Sequence, residues 1–108
     1  MFERKPPIRS TQEDVVELAE DIDRFVIGLG ERIDSIQDAE LAQKFAETAE
    51  LARALAGEAD RLGYPGMAAS AKGVALAAED DASDELQETI VELTELAQRV
   101  RQGHRGAA

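Results

Sequence analysis

Residues 51–63 read LARALAGEADRLG, and this stretch decides the fold of the chain. Its apolar side chains recur every three or four residues, which is the spacing of one face of an α-helix. Gly63 can adopt the left-handed conformation that ends a helix, and Pro65 cannot continue the preceding turn. The stretch therefore predicts a helix that ends near residue 62 and buries one face. That face would consist of Ala52, Leu55, Ala59 and Leu62.

A second apolar stripe lies upstream of this segment and predicts the first helix. Ser10 and Glu13 have the spacing of a capping box at its start. Gly28 and Gly30 interrupt the stripe, and each costs roughly 1 kcal/mol relative to Ala in a helix interior, so they mark a close helix crossing or a break. Between these alternatives we favour one long helix, bent at most. The stripe consists of Val15, Leu18, Ile22, Phe25, Leu29, Ile33 and Ile36.

Residues typical of helix starts predict where three further helices begin. Asp38 is a suitable N-cap for the second helix, the one that contains residues 51–63. Pro65 suits the first turn of a third helix, and the acidic run 80–84 forms the next turn and offers caps to a fourth. The additional inward positions are Leu41, Phe45 and Thr48 in the second helix, Met67, Ala71, Val74, Ala75 and Ala78 in the third, and Leu86, Ile90, Leu93, Ala97 and Val100 in the fourth.

The predicted fold class is all-α, because four amphipathic helices are present and no strand pattern competes with them. Short loops join the helices, so they pack most simply as an up-and-down antiparallel four-helix bundle. This bundle would span residues 10–102, with flexible tails at 1–9 and 103–108. His104, the only histidine, falls in the second tail and is expected to be a solvated residue.

Composition limits the classes of function that this chain can have. Its 108 residues suit one domain, and a formal net charge of −11, from 23 acidic and 12 basic residues, argues against a nucleic-acid partner. Cysteine is absent, which removes disulfides and thiol nucleophiles. No segment reaches the roughly 20 apolar residues of a membrane span, and the first residues do not form a signal peptide. We therefore expect a soluble, cytoplasmic protein with no membrane partner.

Motifs for metal or cofactor chemistry are also missing from the sequence. It contains no phosphate-binding loop, no G-x-S-x-G, no H-E-x-x-H and no dinucleotide fingerprint. We therefore expect no cofactor, no metal and no catalytic residue, and we do not expect an enzyme.

The stretch 51–63 resembles the central motif of histidine-containing phosphotransfer (Hpt) domains, which reads roughly A-H-x-L-K-G-x-A-x-x-L-G. Arg53 stands where that family has its phosphoaccepting His, and Ala56 stands at the Lys. A second register, with Ala69 at the His position before Lys72 and Gly73, also lacks the His. The residues that match in register are Ala52, Leu55, Gly57, Ala59, Leu62 and Gly63.

The resemblance implies a four-helix architecture and a surface that meets a receiver domain. In an active Hpt domain an exposed imidazole attacks an aspartyl phosphate on the receiver, and the neighbouring Lys helps to neutralise the phosphate. Nucleophilic attack needs a free lone pair, which the permanently protonated guanidinium of Arg53 does not have. The resemblance therefore predicts a binding module without phosphotransfer.

A helical projection places Arg53 about 120° from the centre of the buried stripe, on a face poor in long side chains. This face could be a platform on which another domain docks, with Arg53 at its middle. Alternatively, Ala is simply the best helix former, and an Ala-rich surface needs no partner. The candidate partner-binding residues are Arg53, Ala49, Glu50, Ala56, Gly57 and Asp60.

The sequence thus leads to one preferred function and two alternatives. The preferred one is a non-catalytic, Hpt-like module, monomer or weak homodimer, that binds the receiver domain of a response regulator or a histidine kinase. The first alternative is a generic helical interaction or oligomerisation module, in which the same face is a self-association seam. The second is a true phosphotransferase that uses an acceptor not identified from the sequence.

Overall fold

The structure, a computed structural model, describes residues 5–104, and every regular element in that range is helical. The prediction of an all-α fold is confirmed, but the described residues form five α-helices rather than four. A short 3-10 turn at Val16–Leu18 precedes α1. The five helices are α1 (Ala19–Ile27), α2 (Leu29–Leu41), α3 (Phe45–Arg61), α4 (Pro65–Glu79) and α5 (Ser83–Gly103).

One apolar core connects all five helices, and the positions predicted to be central are inside it. This agreement fixes the helical phase of α3 and α5 because each pattern tolerates only one inward face. The predicted core residues that are buried include Ala52, Leu55, Ala59 and Leu62 of the second predicted helix and Leu86, Ile90 and Leu93 of the last.

The order of helix contacts is simple. The interface between α3 and α4 is the most extensive, and α4 continues into a large interface with α5. Helix α2 contacts both α3 and α5, while α1 packs on α2 and α5. The core therefore lies between the five helices, and α1 contributes Ile22, Phe25 and Val26 to it.

The first predicted helix, expected to be one long helix that is bent at most, is divided at Gly28 into α1 and α2. Gly28 has φ −87° and ψ 0°, and its N–H donates to the carbonyl oxygen of Arg24 at 3.0 Å. The apolar stripe nevertheless stays buried on both sides of Gly28, at Phe25 and Leu29. The apolar periodicity predicted which side chains face inward, but it did not distinguish one continuous helix from two helices divided at a glycine.

The predicted N-cap at Asp38 is also wrong. Helix α2 continues past it, since the Ala42 N–H donates to the Asp38 carbonyl oxygen at 3.0 Å, and burial of Ala39 keeps the helical phase. The turn comes later, at Gln43, whose φ is +60°. As a result Leu41, predicted to point inward, is 76% exposed.

Two other predicted caps are wrong, although the turns themselves are correctly placed. Ser10 does not cap the first helix, because its hydroxyl donates to the Leu62 carbonyl oxygen at 2.5 Å and accepts from the Gln12 N–H at 2.9 Å. The acidic run 80–84 forms the turn before α5, but the N-cap position is Ala82 and no side chain caps the helix there.

The segment before residue 10 lies against the helices. The Ile8 N–H donates to the Arg99 carbonyl oxygen at 2.9 Å, and the Thr11 N–H donates to the Gly63 carbonyl oxygen at 2.8 Å. We call residues 5–12 the N-terminal strap, because they connect the last turn of α5 to the end of α3. Residues 5–9 of the predicted flexible tail thus contact the helices, and residues 1–4 and 105–108 lie outside the described residues.

None of the helices within residues 5–104 combines the length and the apolar character that a bilayer-spanning helix requires.

Candidate functional site

The outward side of α3 is the candidate site, and the structure places four of its six predicted residues on the surface. Glu50, Arg53, Gly57 and Asp60 are exposed, as the helical projection predicted. They repeat at spacings of three and four residues and so form one stripe along the helix. We call this stripe the α3 face.

The other two predicted residues are not on the surface, and this part of the prediction is wrong. Ala49 is 5% exposed and Ala56 is 2% exposed, so neither can contact a partner. Helix α4 makes its large interface on this side of α3, and small side chains allow the two backbones to approach closely. The Ala residues that suggested a platform are therefore packing residues between two helices.

Ion pairs to neighbouring helices flank Gly57 on α3. On one edge, Arg53 reaches across to Glu79 of α4, and on the other edge Arg61 reaches Asp21 of α1 at 3.2 Å. Two ion pairs to neighbouring helices thus border a strip whose middle is Gly57.

Arg53 is held by a charge-assisted contact with Glu79. Its Nε and Nη2 donate to the same carboxylate oxygen of Glu79, at 3.1 and 2.5 Å. The hydrogen bond and the charge of Glu79 raise the pKa of Arg53, and the hydrogen bond from Arg53 lowers the pKa of Glu79. Both side chains are about half exposed, so the pair is a surface feature that stabilises the fold little.

Gly57 is a glycine that steric packing in the fold does not require. A Cβ built at this position would have no atom within 4 Å. The residue is in the interior of the 17-residue helix α3, where Gly costs roughly 1 kcal/mol relative to Ala. Packing among the described residues therefore does not require a glycine at position 57.

Chemically, the α3 face can bind but offers no nucleophile. Its charged groups are one guanidinium, which only donates hydrogen bonds, and the carboxylates of Glu50 and Asp60. Among residues 5–104, no group of three or more His, Asp or Glu side chains is arranged to hold a metal ion.

Two residues that form contacts between distant parts of the chain were not predicted from the sequence. Glu79, the partner of Arg53, is 26 positions away, and no local pattern indicates it. His104, predicted to be solvated, is half-buried and has its Nε2 at 3.0 Å from Asp23 Oδ1. His104 and Asp23 come together because α1 packs against α5.

His104 also lines a cavity of about 100 Å³ with Tyr64, the only tyrosine of the chain. Tyr64 is buried and stacks on Phe25 with ring centroids 5.7 Å apart. Burial raises the pKa of Tyr64, and the negative charge of Glu13 adds to this effect. None of the residues that line this cavity belongs to the α3 face.

Comparisons with protein-family models, with curated proteins and with solved structures gave no match to this chain.

Proposed function

We propose that this protein is a non-catalytic, Hpt-like binding module that docks the receiver domain of a response regulator, or a histidine kinase, on its α3 face. The observation that carries this proposal is Gly57, an exposed glycine that the fold does not need. In Hpt domains the corresponding glycine leaves the reactive residue accessible to the receiver. An open strip beside Arg53 would let a partner's backbone approach α3 in the same way.

Arg53 gives this strip its chemical character. A guanidinium donates bidentate hydrogen bonds to carboxylates and phosphates, and a receiver domain has an acidic phosphorylation pocket. In the free protein Glu79 satisfies part of the guanidinium. A docking receiver would exchange this surface ion pair for its own acidic groups, and Glu50, exposed one turn away, would help to orient Arg53.

Binding without transfer is the version of the Hpt hypothesis that fits this helix. Position 53 has no nucleophile, and position 56, where the family has its Lys, is 2% exposed. An ammonium group at position 56 would have to leave the α3–α4 interface to meet a phosphate, since burying an unpaired charge is strongly unfavourable. The double change Arg53→His and Ala56→Lys is therefore expected to destabilise the protein and not to create a phosphotransferase.

The proposal includes a finer description of the fold and of the cellular setting. The connections between α2, α3, α4 and α5 are short, and α2 also contacts α5, as an up-and-down antiparallel bundle requires. In this arrangement α1 would be the bent beginning of the first bundle helix. A cytoplasmic location follows from the proposed partners, since receiver domains act there.

The test is capture of purified receiver domains and kinase cores from the source organism on the immobilised protein. We expect at least one receiver to be retained by the wild type and lost with Arg53→Glu. The matched control is Arg9→Glu, which makes the same charge change at an exposed arginine of the strap, outside the α3 face. If no receiver or kinase is retained, or if both variants retain it equally, the proposal is wrong.

A second measurement separates binding from transfer. The retained receiver is phosphorylated with acetyl phosphate and mixed with the protein, and we expect no stable label on the protein. Label on the wild type would overturn the claim that it does not transfer phosphate, and label that persists in His104→Ala would point to an acceptor other than histidine.

The alternative of a self-association module makes a different prediction for the same face. A seam on α3 predicts a dimer by light scattering that Arg53→Glu disrupts. Burial of Ala49 and Ala56 inside the monomer removes two of the small residues on which this alternative rested.

A further inference from the structure

A cavity at the junction of α1, α2 and α3 brings three arginines together. It measures about 190 Å³ and is lined by one arginine from each helix, with two carboxylates among them. The arginines are Arg24 of α1, Arg32 of α2 and Arg61 of α3, and the acids are Asp21 and Glu58. In a chain with a formal net charge of −11, this convergence of cations is not a consequence of composition.

The two carboxylates act as spacers between the guanidiniums. Asp21 Oδ1 is 3.1 Å from Arg24 Nη2, and its Oδ2 is 3.2 Å from Arg61 Nη1. Glu58 Oε2 is 2.9 Å from Arg61 Nη2, and its Oε1 is 3.8 Å from Arg32 Nη1. The order is therefore Arg24, Asp21, Arg61, Glu58, Arg32. Such alternation fixes the arginines near one another before any ligand arrives, which lowers the ordering cost of binding.

Many guanidinium donors remain unused in this arrangement. Each arginine carries five N–H groups. Within residues 5–104, the guanidinium of Arg32 makes no hydrogen bond, since its contact with Glu58 is an ion pair at 3.8 Å. Arg24 uses only Nη2, and Arg61 uses Nη1 and Nη2, so the Nε of each remains available.

The charges also favour an anion. Three arginines and two acids line the cavity, which leaves one net positive charge. Glu20 contacts Arg24 at 3.4 Å from outside the lining and is 84% exposed, so water screens it strongly.

We propose that this cavity binds a phosphoryl group in its dianionic form. A carboxylate ligand has two oxygens in one plane and can engage two guanidinium forks, whereas a tetrahedral phosphoryl group presents three oxygens to three arginines from three helices. The chemistry is shared by free phosphate and by a phosphorylated side chain. This inference does not depend on docking at the α3 face.

The experiment follows the arginine Nε–H and backbone amide signals by NMR while the wild-type protein is titrated at pH 7.5 and constant ionic strength. The probes are inorganic phosphate, O-phosphoserine and, as a planar monoanionic control, acetate. We expect saturable shifts around Arg24, Arg32 and Arg61 with both phosphoryl probes, and affinity for acetate at least about tenfold weaker. Tighter binding of O-phosphoserine than of phosphate identifies a phosphorylated side chain as the source, and the reverse identifies the free ion.

Arg32→Gln is the decisive variant because it removes a lining cation without breaking any hydrogen bond found in residues 5–104. We expect it to weaken phosphate binding about tenfold or more, while Arg9→Gln, which makes the same change at the exposed Arg9–Glu13 pair of the strap, alters affinity less than about twofold. A circular dichroism melt of each variant verifies that it folds. Shifts that never saturate, equal affinity for acetate, or equal loss in both variants would overturn the proposal.

A change of pH gives an independent reading on the wild type. The second ionisation of a phosphoserine has a pKa of about 6, so most of the ligand is a monoanion at pH 5. We expect binding of O-phosphoserine to weaken several-fold between pH 7.5 and pH 5. Affinity that does not change would show that the cavity does not select the dianion.

Discussion

The middle of α3 and its end each carry a glycine of the same motif, Gly57 and Gly63, and the two have opposite explanations. Gly63 has φ +88°, and a Cβ there would lie 2.5 Å from Ser10 Oγ and 2.8 Å from the Gln12 nitrogen. The fold requires that glycine because the N-terminal strap crosses the helix end at this point. Gly57 has open space around it and an ordinary helical environment. The two glycines of one helix therefore differ, because the fold requires Gly63 and does not require Gly57.

The largest expected effect breaks the end of α3. Gly63→Ala should destabilise the protein by roughly 2–6 kcal/mol, combining left-handed backbone strain of roughly 1–3 with a steric clash of similar size. Urea unfolding measures the change. The matched control is Gly66→Ala on the next helix, where a Cβ meets no atom within 4 Å, and stability there should change by less than about 1 kcal/mol. Equal effects in the two variants would contradict the role assigned to the strap.

The same substitution in the middle of α3 should have the opposite sign. Gly57→Ala is expected to stabilise the protein by about 0.5–1 kcal/mol, since alanine has the higher helix propensity and the added methyl group meets no neighbour. The mirror variant is Ala54→Gly on the same exposed helix, which should destabilise by about 1 kcal/mol. A destabilised Gly57→Ala would mean that the fold needs this glycine after all, and the argument for a docking face would lose its main support.

A smaller effect, on stability at alkaline pH, is expected from the burial of Tyr64, the residue directly after Gly63. Its pKa is raised in the folded state, so the unfolded chain loses the phenolic proton first and stability falls as pH rises past the ordinary tyrosine pKa of about 10. Tyr64→Phe should remove this alkaline loss while changing stability little at pH 7. Urea midpoints at pH 7 and pH 11 measure it, and equal alkaline losses in both proteins would show that Tyr64 is not responsible.

The smallest effect concerns the border of the α3 face. Arg53 lowers the pKa of Glu79, so this carboxylate stabilises the fold above its unfolded pKa and loses that contribution as pH falls through the lower, folded pKa. NMR titration of the Glu79 carboxyl should give a pKa that returns to the ordinary range in Arg53→Gln. A value that stays low in this variant would assign the shift to another neighbour.

The inward faces of the helices could be predicted from the sequence because large apolar residues specify one phase. Leu55 and Leu62 specify the buried face of α3, and Ile90 and Leu93 specify the buried face of α5. The small residues carried no such information. Alanine occurs both on surfaces and in helix interfaces, so the sequence does not show whether Ala49 and Ala56 are exposed or buried. Their burial depends on the neighbouring helices, which the sequence pattern does not specify.

Contacts between distant segments were beyond prediction for a related reason. The pairs Arg53 with Glu79 and His104 with Asp23 join residues 26 and 81 positions apart, and both depend on which helices become neighbours. The ends of α1 and α2 were missed because bends and turns depend on backbone geometry more than on the apolar pattern. Gly57, in contrast, could be selected from the sequence as a candidate site residue, and the structure shows that packing does not require a glycine there.

The most direct test of the account measures partner binding when the open strip at Gly57 is filled. Gly57→Gln adds a long neutral side chain to the α3 face, and Val91→Gln places the same side chain at a residue of α5 that is 68% exposed. Affinity for a receiver domain captured by the wild type is measured by titration calorimetry for both variants. The account predicts a loss of about tenfold or more with Gly57→Gln and a change below about twofold with Val91→Gln. Undiminished binding by a folded Gly57→Gln protein would show that the partner does not dock on α3.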